Sequence, residues 1–152
     1  MRLHSPELLW KCSRALHRRG WKLPARIVKT LNFMLHKCLL PAEAEVGEGV
    51  ILEHYALGIV MHPQVRIGDR CRVYHHVTLA GETWIGSPHY ITLEEGVTIG
   101  AHSVVVARPN TPLTIGHHSV LGAGSVLTKN IPPLEIWAGN PARKISDVKK
   151  PS

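Results

Sequence analysis

The sequence predicts an all-β fold, a parallel β-helix of triangular cross-section, preceded by a short N-terminal α-helical segment. Two observations carry this prediction. A six-residue repeat runs through the chain after Pro41, and helical spacing of apolar residues is confined to the first forty residues. A chain of 152 residues can bury a core as a single domain. We expect a helical segment over 1–40, the β-helix over 41–146 and a tail over 147–152.

Two short helices are predicted before the repeat. Ser5 is a suitable N-cap, Pro6 suits the first helical position, and Gly20 marks the end of the first helix. The second helix is predicted to begin after Pro24. Its apolar residues fall on one stripe, formed by Ile27, Val28, Leu31, Met34, Leu35 and Cys38.

Positive charge is concentrated in the helical segment. Residues 1–40 contain nine of the eighteen Lys and Arg residues and one acid, whereas residues 41–152 contain nine bases and ten acids. The basicity is therefore local and does not indicate nucleic-acid binding. Two interpretations stay open: a helical cap with a solvated basic face, or a surface that contacts an anionic membrane or an acidic acceptor.

The six-residue repeat is the strongest pattern in the chain. Aliphatic residues begin nine hexads: Val46, Leu52, Ile67, Val73, Leu93, Ile99, Ile115, Leu121 and Leu127. A small or β-branched residue follows four positions later: Val50, Ala56, Cys71, Val77, Val97, Ser103, Ser119, Ser125 and Ile131. This period is neither helical nor a simple alternation. It fits three short faces per coil, each with an inward aliphatic side chain and a tight corner.

The repeat slips out of phase at about 57–66, at about 79–92 and at 105–114. Out-of-phase residues in a solenoid form loops or distorted faces, where functional groups are often located. The second slip is too long for a corner, so we expect it to project. It contains Trp84 and His89.

Cysteine usage and hydropathy indicate the compartment. Cys12, Cys38 and Cys71 are odd in number and widely spaced, which is typical of reduced thiols and not of a disulfide framework. No apolar run reaches membrane-spanning length, and the first residues lack the features of a signal peptide. We expect a cytoplasmic protein, with the inner face of the membrane as an alternative location.

Several segments resemble the hexapeptide-repeat acyltransferases. They are VGEGVILEHYALGIVM, VYHHVTLAGE, SPHYITLEEGVTIGAHSVVV, IGHHSVLGAGSVLTKNIPP and AGNPARKI. The resemblance is greatest to the serine acetyltransferase branch and to its short relatives from polysaccharide-biosynthesis clusters. It implies a left-handed parallel β-helix, an exception to the usual right-handed crossover. It also implies a homotrimer, with acetyl-CoA in a groove between adjacent subunits.

The resemblance also implies the roles of individual residues. His54 matches the catalytic base, His89 the second active-site histidine and Glu53 an acidic residue that contacts the acceptor. Histidine suits the base because its pKa lies near the working pH. His75 and Trp84 are further candidates for the acceptor site.

Acetyl-CoA is the expected co-substrate, and no metal is expected. Pantetheine amides can pair with exposed backbone beside Ala80, Gly81, Ala101 and Gly122. Cations suit the phosphates, and the candidates are Lys129, Arg143 and Lys144.

The sequence departs from serine acetyltransferases at two site positions. Leu39 stands where the family has an Asp that orients the base, and Pro88 stands where it has an Arg for the acceptor carboxylate. Because Arg is hard to replace in that role, a sugar hydroxyl of a glycan or polysaccharide precursor is the predicted acceptor. Serine O-acetylation is the first alternative. A zinc-dependent γ-carbonic-anhydrase-like protein and a non-catalytic scaffold are the others.

Overall fold

A computed structural model describes residues 5–81, 91–109 and 111–149 of the chain. Two helices, α1 (Pro6–Arg18) and α2 (Lys22–His36), lead into a solenoid of short strands. The strands stack on three faces, which we call faces 1, 2 and 3, and almost all neighbours pair in parallel. The polypeptide therefore coils in the way that the hexads predict.

Face 1 contains β1 (Glu45–Val46), β4 (Val65–Ile67), β7 (Ile91–Leu93) and β10 (Leu113–Ile115). Face 2 contains β2 (Ile51–Leu52), β5 (Arg72–Val73), β8 (Thr98–Ile99), β11 (Val120–Leu121), β13 (Glu135–Gly139) and β14 (Ala142–Asp147). Face 3 contains β3 (Val60–Met61), β6 (Thr78–Gly81), β9 (Val104–Ala107) and β12 (Val126–Leu127). The β13–β14 pair is antiparallel.

The predicted inward side chains form the core. Eight of the nine hexad-initial residues are buried, and Val46 is partly buried against the same core. The corner residues Ser103, Ser119 and Ser125 are also buried, and their hydroxyls donate to carbonyls of Gly122 and Pro132 at 2.6–2.9 Å. A small hydroxyl residue therefore fits the corner interior because a carbonyl of the next coil, or of its own coil for Ser125, accepts its hydrogen bond.

Helix α1 has its predicted N-cap, whereas α2 differs from its predicted start and buried side. Ser5 caps α1 as expected, since its Oγ accepts a hydrogen bond from the Leu8 amide at 3.2 Å. The second helix begins at Lys22, two residues before Pro24, because proline is tolerated in the first turn. Its buried side is formed by Ala25 and Asn32, so most of the predicted apolar stripe of α2 faces outward.

Helix α1 docks on the first coil of the solenoid. The indole of Trp10 donates to the Pro41 carbonyl at 2.7 Å, and Arg14 donates to the carbonyls of Ala44 and Val46. Glu7 accepts from the Leu52 amide at 3.1 Å. The helical segment thus covers the open end of the β-helix and fixes the strand that precedes Glu53.

The phase slips correspond only partly to irregular structure. The first, predicted at about 57–66, contains β3 and most of β4, and the irregular turn lies earlier, at Glu53–Ala56. The third contains the turn between β9 and β10. Most of the second lies outside the described residues. Within the described ranges, no helix combines the length and the hydropathy needed to cross a membrane.

Candidate active site

His54 is displayed by a left-handed turn between β2 and β3. His54, Tyr55 and Ala56 have φ angles of 53°, 57° and 58°. Non-glycine residues in this region cost about 1–3 kcal/mol each and persist only where the surroundings impose them. Here buried Ala56 anchors the turn, and its carbonyl accepts from the Ile59 amide at 3.0 Å. The turn leaves the His54 side chain exposed.

This turn holds three residues more than the next coil does at the same place. Leu52 and Gly58 are six positions apart, whereas their counterparts Val73 and His76 are three apart. The residue that corresponds to the predicted corner residue Val77 is therefore Ile59, not Ala56. Ala56 is buried inside the inserted turn, which corrects the hexad register in this coil.

Glu53 forms an ion pair with an arginine of the next coil. Arg72 Nη1 lies 3.3 Å from Glu53 Oε1, and the side chains are 47% and 26% exposed. The pair forms because β2 and β5 are neighbours, with Ile51 opposite Arg72. The carboxylate predicted to contact the acceptor is thus accompanied by a guanidinium.

Four histidines meet where face 2 turns into face 3. The His54 and His75 rings are 4.7 Å apart edge-to-face, and the His75 and His102 rings are 5.3 Å apart. His76 stacks on His102 at 4.8 Å with an interplanar angle of 19°. We call this corner, formed by residues 54–58, 75–76, 101–102 and 123–124, the histidine corner.

His75 lies at the centre of the histidine corner. Burial lowers its pKa, and charges on His54, His102 and His76 lower it further. Its Nδ1 is buried without a hydrogen-bond partner among the described residues. Because a lowered pKa favours the neutral imidazole, His75 can offer either a donor or an acceptor nitrogen next to His54.

The predicted cofactor residues fall in three places. Ala80 and Gly81 end β6, at the same end of face 3 as Lys129, which borders a depression of about 230 Å³ together with Arg108. Ala101 lies at the histidine corner, and Gly122 directly precedes that corner in the next coil. Arg143 and Lys144 lie on β14.

Lys144 is already engaged by neighbouring carboxylates. Its Nζ lies 2.8 Å from Glu135 Oε1 and 2.7 Å from Asp147 Oδ1. Hydrogen bonds to Asp147 and Glu135 raise the pKa of Lys144. A role for Lys144 in phosphate binding would therefore compete with this local pairing, whereas Lys129 and Arg143 are exposed.

Two predicted site residues, His89 and Trp84, lie outside the described residues. Pro88 does as well. A depression of about 620 Å³ lies between α1 and face 1 and is bordered by Arg14, Arg66 and Glu94. It does not include His54, which stands on an open surface.

Sequence reasoning missed Arg72 and the contribution of His102. The repeat contains the missing signal, because His76 and His102 both follow a hexad-initial aliphatic residue by three positions. Residues at equal hexad positions stack in successive coils. Arg72 follows from the same rule, since it and Ile51 both precede a hexad-initial residue.

Comparisons with known proteins agree with this architecture. The family description "Hexapeptide repeat of succinyl-transferase" matches residues 90–129. Serine acetyltransferase from Mycobacterium tuberculosis is 32% identical over 130 residues, which cover 86% of this chain and 55% of that protein. Its counterpart from Buchnera aphidicola is 31% identical over 142 residues, which cover 93% and 50%.

Solved structures extend the match to the fold. Serine acetyltransferase from Brucella abortus has a TM-score of 0.83 at 26% identity, covering 93% of this chain and 55% of that chain. The soybean apoenzyme has a TM-score of 0.81 at 27% identity, covering 92% and 56%. The chain spans about half the length of the curated relatives it matches.

These matches define the class of protein to which the fold corresponds. The fold is the left-handed parallel β-helix of the serine acetyltransferase structures, as predicted. The chain contains a hexapeptide-repeat segment of the acyltransferase type over residues 90–129 and is similar over most of its length to serine acetyltransferases. The expected relation to polysaccharide-cluster enzymes stays a prediction.

Proposed function

We propose that this protein is an acetyl-CoA-dependent O-acetyltransferase of the serine acetyltransferase type, with His54 as general base. The observation that carries the proposal is the strained turn that exposes the His54 imidazole beside His75, 4.7 Å away. Unfavourable backbone conformations at several successive residues are typical of functional sites. The relatives named serine acetyltransferases support the same chemistry.

The reaction is a direct transfer between two bound substrates. The acceptor hydroxyl oxygen attacks the thioester carbonyl as His54 removes the hydroxyl proton. The C–S bond then breaks, and the departing thiolate receives the proton from His54. Acetylated acceptor and free coenzyme A are the products, and His54 returns to its neutral form.

His75 is the best-placed group to orient His54. Leu39 occupies the position of the orienting acid, and Glu45, an acid six residues further along the chain, pairs with Arg66 on face 1 at 3.2 Å. His75 contacts the His54 ring edge-to-face and has an unpaired buried nitrogen. Its neutral imidazole stabilises the adjacent His54 when His54 accepts a proton, because the two rings then do not carry like charges.

L-serine is the leading acceptor, in place of the sugar hydroxyl that the sequence favoured. The comparisons back this alternative, since the relatives are named serine acetyltransferases. A sugar acceptor is the second candidate, and Pro88 in place of the family's arginine is the observation in its favour.

A homotrimer would complete the open site. Exposed apolar residues lie on the coil that carries His54 and on the segment that pairs with it, and they are Leu39, Ile51, Tyr55, Leu57 and Val60. A contiguous exposed apolar patch is typical of a protein interface. In this assembly a neighbouring subunit would cover the patch and bring its own residues, such as His89, to His54. Cytoplasmic location and peripheral membrane contact through the basic helices stay predictions.

Acetyl transfer to L-serine and to a panel of sugars tests the proposed function. Wild-type protein should acetylate L-serine, and His54→Ala should lose about 10²–10⁴-fold in kcat, the usual contribution of a general base. Mass spectrometry of the acceptor and release of the coenzyme A thiol measure the reaction.

The matched control is His118→Ala. His118 is also an exposed histidine with positive φ, at another corner of the β-helix. It should retain wild-type activity. Retention of most activity by His54→Ala would refute the assigned base, and transfer to sugars alone would refute L-serine as the acceptor.

A further inference from the structure

Arg72 stands next to the turn that displays His54. On β5, Val73 points into the core, so Arg72 and Tyr74 on either side of it share the outer surface. The Tyr74 ring is 6.3 Å from the His54 ring, and Arg72 Nη1 is 3.3 Å from Glu53 Oε1. Arg72 and the proposed base therefore face the same open surface.

The guanidinium of Arg72 retains capacity to bind an anion. Its contact with Glu53 involves Nη1, whereas a guanidinium has five N–H donors in a planar fork. The side chain is 47% exposed, so the remaining donors are accessible. Arginine and carboxylate commonly pair through two parallel hydrogen bonds.

The Arg72–Glu53 pair matches the charges of an amino-acid zwitterion. A ligand carboxylate can pair with Arg72 while the ligand ammonium pairs with Glu53. The two charges of the protein and the two charges of the ligand then neutralise one another. Glu53 directly precedes His54 in the chain. A ligand held in this way has its short side chain next to the imidazole.

From this arrangement the structure assigns to Arg72 the binding of the acceptor carboxylate. Arg72 would thus replace the arginine that serine acetyltransferases have at the position of Pro88. The assignment rests on the proposed function, because it concerns the acceptor of the same reaction. It removes the main sequence argument against an amino-acid acceptor. It also predicts that the acceptor is a hydroxyl amino acid with a free carboxylate.

Steady-state kinetics with L-serine and L-serinamide test the assignment, since the amide lacks only the negative charge. Arg72→Gln should raise the KM for L-serine by about 10–100-fold, the loss of a charge-assisted hydrogen bond, with kcat within about threefold. Its kinetics with L-serinamide should match those of wild type. Arg72→Lys should recover part of the L-serine affinity, because it keeps the charge but not the planar fork.

Arg70→Gln is the matched control, because Arg70 is an exposed arginine two residues away that pairs with Glu95. It should leave both acceptors unaffected. Equal effects of Arg72→Gln on L-serine and L-serinamide would overturn the assignment, as would an unchanged KM for L-serine.

Calorimetric titration of the same proteins with L-serine and L-serinamide separates this assignment from the proposed function. One outcome is that wild type binds L-serine without transferring an acetyl group to it, while Arg72→Gln weakens the binding of L-serine but not that of L-serinamide. In that case Arg72 is a carboxylate-binding residue and the proposed reaction is wrong. If wild type binds L-serine no better than L-serinamide, the Arg72 assignment fails whatever the activity.

Discussion

His75 illustrates at the scale of single residues how neighbouring imidazoles control each other's charge. Three other histidine rings lie within 5.6 Å of its own, and its Nδ1 is buried. A proton on His75 would therefore face both a desolvation cost and like charges. The lowered pKa of His75 follows from these two causes, with burial as the larger.

This lowered pKa predicts a specific dependence of stability on pH. In the unfolded chain His75 takes up a proton near pH 6.5, whereas the folded state resists it. Stability from this group is thus complete above the unfolded pKa and is lost as pH falls through that value toward the folded pKa. Thermal unfolding of wild type and His75→Gln at pH 8 and pH 5 measures the effect.

The expected result is a melting temperature that falls more steeply with acidification in wild type than in His75→Gln. Other titrating groups are common to both proteins and cancel in the comparison. A difference between the two melting temperatures that is the same at pH 8 and pH 5 would show that His75 binds its proton equally in both states.

The stacking of coils accounts for the histidine corner at the scale of structural elements. Gly58, His76, His102 and Gly124 occupy equivalent places, with φ angles of 67°, 55°, 58° and 68°. Each amide donates to the coil before it, as the His76 amide does to the Leu57 carbonyl at 2.8 Å. One backbone geometry thus places successive side chains above one another, and glycine at position 58 leaves room for the imidazole of His76.

Replacement of Gly58 by alanine should be more harmful than replacement of Gly124. Both positions require positive φ, which costs alanine about 1–2 kcal/mol. A Cβ at Gly58 would lie 2.0 Å from His76 Nδ1, whereas nothing lies within 4 Å of a Cβ at Gly124. Since His76 packs against His75 and His102, moving it should add about 1–3 kcal/mol, as overpacking does.

Urea unfolding of the two variants measures this difference directly. The Gly124→Ala protein serves as the control for the backbone cost alone. Equal losses in the free energy of unfolding would mean that His76 moves aside freely and that the stacked histidines are not a rigid unit.

The repeat explains which elements were predictable. Hexad spacing depends on burial in every coil, so Leu93, Ile99 and the other hexad-initial residues were identifiable as core from sequence alone. The turn at Glu53–Ala56 could not be located from the sequence. Three inserted residues can lie on either side of a corner without changing the number of residues between successive hexads. Arg72 was missed because the repeat places it opposite Ile51, whereas its ion pair is with Glu53, at the start of the inserted turn.

Two exposed apolar surfaces stand out at the scale of the whole molecule, among the residues that the structure describes. One is the outward stripe of α2, formed by Leu23, Ile27, Leu31 and Met34, and the other is the patch around His54. The stripe adjoins Lys22 and Arg26, and these like charges oppose the pairing of the stripe with a second copy of the chain. The same charges would suit an anionic membrane surface, so membrane contact stays a prediction for this stripe. The patch around His54 contains the proposed base, and the charged residues beside it, Glu53 and Arg72, pair with each other.

The patch around His54 should therefore be the interface of the trimer. Leu57→Glu would bury an unpaired carboxylate there and should convert the trimer to monomers, because an isolated buried charge is strongly unfavourable. Acetyl transfer should fall with assembly, since the neighbouring subunit completes the site. Multi-angle light scattering, with the activity assay on the same fractions, measures both.

Ile145→Glu on β14 is the control, because Ile145 is equally apolar and 65% exposed but lies outside the patch. A wild-type protein that is active as a monomer, or a trimeric Leu57→Glu protein, would show that the subunit interface lies elsewhere.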